Sequence, residues 1–169
     1  IRRPPRSTLF HLHDALPIWT DELNISDRVK FMPKMPWTEL MRYTKSADAG
    51  LSLDKDTNQN YRFSLPNKLF DYISGGIPVI AGNLPEVAGI IKKYNCGLII
   101  TEITPGAIGN AINMLKNNSD LMDRLKKNAV IASDDLSWEK ESEKVTKFYE
   151  NVLEKITAGQ QDVKIESHY

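Results

Sequence analysis

Apolar residues follow two patterns along the chain, short continuous runs and longer stretches with helical spacing. The short runs predict four strands, at residues 28–32 (RVKFM), 48–53 (DAGLSL), 77–81 (IPVIA) and 97–100 (GLII). The helical spacing predicts helices at residues 38–45, 84–94, 105–116, 119–132 and 138–156, with a further helix between residues 64 and 75. Strands that alternate with helices of about ten residues are typical of βαβ units, so the fold class is α/β with a parallel sheet flanked by helices.

The central stretch is residues 64–86 (SLPNKLFDYISGGIPVIAGNLPE), a helix and a buried strand between two loops. Ser64 is of the residue type that caps a helix, and Pro66 belongs in a first helical turn. The pair Gly75 and Gly76 can take the left-handed conformation that ends a helix. Two helices therefore begin at one edge of the sheet, where doubly wound folds bind ligands.

Two polar loops flank this stretch. Residues 54–63 (DKDTNQNYRF) are too polar for a regular element and predict a mobile loop. Asp54 and Asp56 lack a third ligand for a divalent metal, so we expect both to be solvent-exposed. In the loop after the buried strand, Asn83 and Glu86 have the spacing of a helix cap.

The closing helices should pack over one end of the sheet, the first of them spanning residues 105–116. Ser137 is expected to cap the last helix and Trp138 to lie in the core. The last helix needs a partner surface for six apolar residues at helical spacing, which are Val145, Phe148, Tyr149, Val152, Leu153 and Ile156.

The two ends of the chain are not expected to belong to the domain. Residues 1–10 and 13–18 match the translation of a sequencing-library adapter, so we expect residues 1–18 to be an artefact without defined structure. The alternative is a basic arm that carries Arg2, Arg3 and Arg6. The domain would then occupy residues 19–156, and residues 157–169 would form a frayed tail.

Composition excludes several classes of function. The chain has 22 basic and 22 acidic residues, a net charge of zero, which does not favour a nucleic-acid or anionic-membrane surface. The single cysteine, Cys96, cannot form an internal disulfide and fits a reducing compartment. Only His168 and two residues near the amino terminus could supply an imidazole, which leaves little material for histidine catalysis or metal sites. No apolar run is long enough to span a bilayer.

The motifs RVKFM, DAGLSL, SLPNKLFDYISGGIPVIAG, NLPEV, CGLII and SWEKESEKVTKFYENVL occur here in a recognisable order. Residues 27–153 resemble the carboxy-terminal, donor-binding half of retaining glycosyltransferases of family 4, whose two Rossmann-like domains form the GT-B fold. The resemblance implies a nucleotide-diphosphate sugar as donor substrate, no covalently bound cofactor and no dedicated metal site. It also implies a cytoplasmic bacterial enzyme of surface polysaccharide assembly, with peripheral membrane association of the full-length protein.

Two charged residues of the central helix carry the expected chemistry. If the donor is a nucleotide-diphosphate sugar, Lys68 is the candidate for stabilising the leaving diphosphate, because both the first turn of a helix and an ammonium attract phosphate. Asp71 matches the second acidic residue of the family's glutamate-seven residues-glutamate motif, which binds the donor ribose. The alternatives are a surface ion pair between Lys68 and Asp71, and a solvated acid at Asp71.

The first acidic residue of that motif falls on Phe63, a departure from the family pattern. The transferred sugar would then contact the loop residues Ser64, Leu65, Pro66 and Asn67. Asn67 could equally be only a helix cap.

Other parts of the family pattern fall near the start of the resembling region or are missing from this chain. Lys34 and Met35 fall where the family frames the nucleobase, although an ordinary exposed loop is the favoured alternative. The first strand and glycine loop of the donor domain, its basic pair and the whole amino-terminal acceptor domain are absent after Trp19. We therefore expect this chain alone to catalyse no transfer, and its last helix to be partly uncovered.

Two other classes remain open. A receiver-like signalling domain would need an acidic pair after its first strand and a lysine after a late strand, and no such lysine follows Ile100. A GT-B relative that is not a transferase, such as a nucleotide-sugar epimerase, would need histidine and acidic side chains that this chain largely lacks.

Overall fold

The computed structural model describes residues 20–157, which fall into two units, one ending at Trp37 and one beginning at Thr38. The predictions of an artefact at residues 1–18 and of a frayed tail at residues 157–169 lie outside the described residues, except that Thr157 is the last residue of a helix. Each unit is described by itself.

The first unit contains little regular structure, and the strand predicted at residues 28–32 is wrong. Residues 20–22 are helical, and residues 29–36 have no regular structure. The backbone amides of Arg28 and Val29 donate to the Ile25 carbonyl, so a turn occupies donors that a strand would use. Phe31 and Met32 are about half exposed. A strand is stabilised by a neighbouring strand, and no strand among residues 20–157 pairs with this segment.

The sheet has three parallel strands in the order β1-β2-β3. The strands are β1 (Gly50–Ser52), β2 (Val79–Gly82) and β3 (Gly97–Ile100). The helices among the described residues are α1 (Trp37–Ser46), α2 (Gln59–Arg62), α3 (Asn67–Ser74), α4 (Pro85–Tyr94), α5 (Pro105–Lys116), α6 (Ser119–Asp135) and α7 (Trp138–Thr157). The predicted parallel α/β fold is confirmed, with one strand fewer than the sequence suggested.

The middle strand, β2, is buried along its whole length, as its continuous apolar run predicts. Its alternate residues feed two cores. Val79 and Ala81 belong to a cluster that also contains residues of α3, α4 and α6, whereas Ile80 belongs to a second cluster with residues of β3, α5 and α6. Helices therefore cover both faces of the sheet.

Close backbone approach sets the positions of two glycines. The residue pair Val79 and Gly97 is in register between β2 and β3, and a Cβ atom added at Gly97 would lie 2.1 Å from the Val79 carbonyl oxygen. Gly76 has a φ of 69°, the left-handed conformation expected after α3, while Gly75 remains right-handed.

The first and last helices bury less than their patterns suggest. In α1 Met41 and Thr44 are buried, whereas Tyr43 is half exposed. The expectation that Trp138 lies in the core is wrong, since its side chain is 75% exposed. Ser137 does cap α7, accepting from the Lys140 amide at 3.5 Å. The apolar side chains of α7 remain largely exposed within residues 20–157, and Trp138 stands at the start of this uncovered helix.

Candidate functional site

The carboxyl ends of β1 and β2 lie side by side, because the two strands are parallel neighbours. The chain leaves β1 after Ser52 and passes through Asp54. Gly82, the last residue of β2, faces that segment so closely that an added Cβ atom would lie 3.0 Å from the Asp54 carbonyl oxygen. Glycine at position 82 therefore lets the loop after β1 cross the end of β2.

The polar segment 54–63 contains a short helix, so the expectation of a segment without regular structure is wrong. Asn58 caps α2, accepting from the Tyr61 amide at 3.1 Å. Arg62 lies 3.6 Å from Asp56, and its guanidinium carbon lies 5.8 Å from the Phe63 ring centroid. Local hydrogen bonds and an ion pair thus order a stretch that has no apolar periodicity.

The start of α3 differs from the prediction. Ser64 does not cap this helix, because its hydroxyl donates to the Tyr61 carbonyl at 3.0 Å. The cap position belongs to Pro66, whose extended backbone precedes the first helical residue, and Asn67 is an exposed residue of the first turn rather than a cap. Pro66 has no side-chain acceptor, so no side chain caps α3.

Lys68 in this first turn is held by Asp54. Its ammonium nitrogen lies 2.9 Å from one carboxylate oxygen of Asp54 and 3.0 Å from the other. The buried Ser52 donates its hydroxyl to the same carboxylate at 3.4 Å. The ion partner that we considered for Lys68, Asp71, lies one turn later on the same helix face and is half-buried.

Sequence reasoning missed this role of Asp54, which it treated as a solvent-exposed acid. The side chain is only 22% exposed. One signal was available, since an acidic residue directly after a buried parallel strand falls at the edge where α3 begins. The lysine partner is 14 positions away, a separation that local patterns do not cover.

A cavity of about 460 Å³ opens beside Asp54. Its lining carries one carboxylate, two amides, a phenol and a hydroxyl, from Asp54, Asn58, Asn60, Tyr61, Ser64 and Pro66. Such a set of donors and acceptors suits a ligand with several hydroxyl groups. Asn58, Asn60 and Tyr61 were not predicted as site residues.

The next helix, α4, also begins without a side-chain cap. Asn83 was predicted as its cap, but Leu84 takes that position, and the Leu84 side chain is buried in the core. By contrast, side chains of Asn58, Thr104 and Asn118 cap α2, α5 and α6. At the carboxyl edge of the sheet, the cap residues Pro66 and Leu84 therefore offer no side-chain acceptor to the first-turn amides of α3 and α4.

Comparison with known proteins identifies the family. The family model described as "Glycosyl transferases group 1" matches residues 14–131. The chain belongs to this family. A search of curated proteins gave no significant match.

Two solved structures share the fold of this chain. Sucrose-phosphate synthase from Thermosynechococcus elongatus matches with a TM-score of 0.68 at 20% identity, over 82% of this chain and 33% of that one. WaaG, a glycosyltransferase involved in lipopolysaccharide biosynthesis, matches with a TM-score of 0.58 at 18% identity, over 71% of this chain and 30% of its own. The chain thus spans about a third of each. The predicted fold, the carboxy-terminal half of a GT-B glycosyltransferase, is confirmed.

The structure brings together some of the predicted site residues of this family member and leaves others in a different unit. Ser64, Pro66 and Lys68 meet around Asp54, and Leu65 is exposed on the same loop. Lys34 and Met35 belong to the first unit, where Lys34 is exposed in a segment without regular structure.

Among residues 20–157 no three His, Cys, Asp or Glu side chains come together in a group that could hold a metal ion. No helix in that range is long and apolar enough to cross a membrane.

Proposed function

We propose that this chain forms the donor-binding part of a retaining glycosyltransferase of family 4, which takes a nucleotide-diphosphate sugar and transfers its sugar to an acceptor. The observation that carries the proposal is the position of Lys68. It lies in the first turn of an uncapped helix, at the carboxyl edge of a parallel sheet and next to a polar cavity. Membership of the glycosyl transferases group 1 family supports the same reaction class.

The donor diphosphate would lie at the start of α3. Amides without a side-chain cap point out of the first turn there, and the partial positive charge of a helix amino terminus favours phosphate oxygens. Lys68 adds a full positive charge. As the bond between sugar and diphosphate breaks, negative charge grows on the diphosphate, so these donors stabilise the transition state more than the ground state. The donor is a substrate, and the proposal includes no covalently bound cofactor.

The ribose would be bound by Asp71. A carboxylate accepts hydrogen bonds from two neighbouring hydroxyls, and Asp71 lies on the same face of α3 as Lys68. Aspartate is shorter than the family's glutamate by one C–C bond, about 1.5 Å. The contact with the ribose is therefore expected to be weaker than in relatives that carry glutamate.

The transferred sugar would occupy the polar cavity. Ser64 and Pro66 line it directly, Leu65 lies between them on the loop, and Asn67 follows as the first residue of α3. Phe63, where the family has an acidic residue, is exposed and ends α2, so the cavity's hydroxyl-binding groups come from Asp54 and the asparagines instead.

The remaining proposals concern the whole protein. Lys34 and Met35 are assigned to the nucleobase, residues 19–156 to the donor domain, and the acceptor to a separate amino-terminal domain. On this proposal the chain alone catalyses no transfer. The whole enzyme would work in the bacterial cytoplasm in polysaccharide assembly, at the inner face of the membrane, without nucleic acid.

Ligand-observed NMR tests the donor site directly. The chain is titrated with UDP, GDP, UDP-glucose and inorganic phosphate, and the titrations are repeated with Lys68→Ala and with Lys92→Ala, a control lysine in the last turn of α4. We expect a nucleoside diphosphate to bind and Lys68→Ala to weaken it about tenfold, since one charged hydrogen-bond donor is lost. The proposal is overturned if no nucleotide binds, or if the two lysine variants behave alike.

A further inference from the structure

We propose that Asp54 is a resident counter-ion of Lys68, which the donor diphosphate must displace before the lysine can stabilise it. Asp54 would thus be a residue that sets the affinity and selectivity of the anion site. The inference rests on the proposed function, because it assumes that Lys68 binds the diphosphate.

The first support is the geometry of the pair. Both carboxylate oxygens of Asp54 lie within hydrogen-bond distance of the Lys68 ammonium, at 2.9 and 3.0 Å. An ammonium has three N–H donors, so the carboxylate occupies a large part of its capacity. The buried Ser52 hydroxyl holds the carboxylate from the strand side, at 3.4 Å. Asp54 therefore takes the place on Lys68 that a phosphate oxygen would take.

The second support is the position of the pair relative to the cavity. Asp54 lines the cavity, whereas Lys68 is not among the described residues that line it. A ligand in this cavity therefore contacts the carboxylate that holds the ammonium. Because the pair carries no net charge, Lys68 attracts an approaching anion less than an unpaired lysine would.

The third support is the strength of the contact. The side chains of Lys68 and Asp54 are 41% and 22% exposed. An ion pair with this access to water contributes little to stability, so a ligand of higher charge can outcompete it. A diphosphate carries more negative charge than one carboxylate, and it also accepts hydrogen bonds from the α3 amides.

A purely structural role of Asp54 and a competing role predict opposite changes in anion affinity when Asp54 is removed. If the pair only clamped the end of β1 to α3, removing Asp54 would loosen Lys68 and weaken anion binding. If Asp54 is a competitor, its removal tightens binding. The sign of the change in affinity therefore separates the two roles.

The test is calorimetric titration of the 169-residue chain with inorganic pyrophosphate at low ionic strength. Asp54→Asn removes the charge and keeps the shape, and Asp54→Ser removes the carbonyl acceptor as well. Asp56→Asn is the matched control. Asp56 lies two positions from Asp54 and carries the same charge, but it pairs with Arg62 rather than with Lys68. Circular dichroism verifies that every variant is folded.

We expect both Asp54 variants to bind pyrophosphate about two- to fivefold more tightly, and Asp56→Asn to change its affinity by less. The gain should disappear in the double variant Asp54→Asn with Lys68→Ala. Equal gains in the Asp54 and Asp56 variants would overturn the inference in favour of general charge repulsion, and weaker binding of the Asp54 variants would overturn it in favour of a clamp.

A parallel titration with UDP and GDP separates this inference from the function on which it rests. If these ligands and pyrophosphate bind through Lys68 but Asp54→Asn gives no gain, only the counter-ion role is overturned. If no variant binds any of them, the donor site itself is overturned and the counter-ion role with it.

Discussion

The aromatic ring of Tyr72 lies directly against the backbone of Gly50. A Cβ atom added at Gly50 would lie 2.2 Å from the Tyr72 ring carbon Cγ, a distance that real side chains do not reach. The Tyr72 hydroxyl also donates to the Leu51 carbonyl at 3.4 Å. Tyr72 stands one turn after Lys68 on α3, and Gly50 begins the strand that leads to Asp54, so this contact fixes the helix where the ion pair can form.

We predict that Gly50→Ala destabilises the fold by about 1–3 kcal/mol, the usual cost of forcing extra atoms into a packed site. Chemical denaturation followed by circular dichroism measures the change. Gly109→Ala in α5 is the control, because a Cβ atom there meets nothing within 4 Å. The control should stabilise the protein by about 0.5–1 kcal/mol, since alanine favours a helix interior. Equal stability of Gly50→Ala and the wild type would contradict the packing described here.

Elements marked by strong local signals were predicted well from the sequence. The run GLII predicted β3 with its observed bounds, and the helical spacing over residues 105–116 predicted α5 with its observed bounds. Continuous apolar residues also gave the complete burial of β2. In each case a pattern of a few neighbouring residues is sufficient to determine the element.

Local rules failed at the starts of α3 and α4, which is where the candidate site lies. Ser64 and Asn83 are good capping residues, yet Pro66 and Leu84 occupy the cap positions. Capping rules assume that the side chain of the cap residue accepts a hydrogen bond from a first-turn amide. The cap residues of these two helices make no such bond. Such failures of local prediction are expected at functional sites, where ligand binding competes with local stability.

Other differences between the prediction and the structure arise from contacts between distant parts of the chain. The pairing of Asp54 with Lys68 depends on the sheet bringing the end of β1 to α3, which spacing alone does not reveal. The segment RVKFM has the alternation of a strand, but pairing with a neighbour decides whether a strand forms. The apolar pattern of α7 predicted the helix correctly. The exposure of its apolar side chains depends on which surface covers them, and the pattern does not specify that surface.

Asp71 provides a test of ribose binding that is separate from diphosphate binding. We predict that Asp71→Ala weakens UDP or GDP about threefold to tenfold and leaves inorganic pyrophosphate unchanged, because only the nucleotides carry ribose hydroxyls. Asp71→Glu should tighten the nucleotide, since it restores the longer reach of the family's glutamate. Ligand-observed NMR gives both affinities. A parallel loss of pyrophosphate binding in Asp71→Ala would instead indicate a structural role for this residue.

The single cysteine gives a reporter of core opening. Cys96 is fully buried in the cluster shared by α4 and α6, and burial raises the pKa of its thiol. Thiolate is the reactive form, so we predict that a disulfide reagent modifies Cys96 slowly in the native protein. In denaturant the same reagent should rapidly modify one thiol per chain. Absorbance of the released thiol measures both rates. Rapid modification under native conditions would show that this part of the core opens without global unfolding.

The last prediction concerns the pH dependence of stability at the contact between α4 and α6. Tyr94 donates a hydrogen bond to the Asp135 carboxylate, and Lys93 lies 3.8 Å from it. The Tyr94 hydrogen bond, assisted by Lys93 and Lys140, lowers the pKa of Asp135. A carboxylate whose pKa is lower in the folded state stabilises the fold above its unfolded value of about 3.9, and this contribution is lost as the pH falls through the folded value.

Asp135→Asn should therefore melt at a lower temperature than the wild type at neutral pH, and the two melting temperatures should converge as the pH is lowered below about 3.9. Tyr94→Phe is the matched variant, because it keeps the aromatic ring and removes the hydroxyl that lowers the pKa of Asp135. Its difference from the wild type should shrink over the same acidic range. Thermal melts at a series of pH values measure these differences, and a difference that stays constant at every pH would show that the carboxylate acts through packing rather than through its charge.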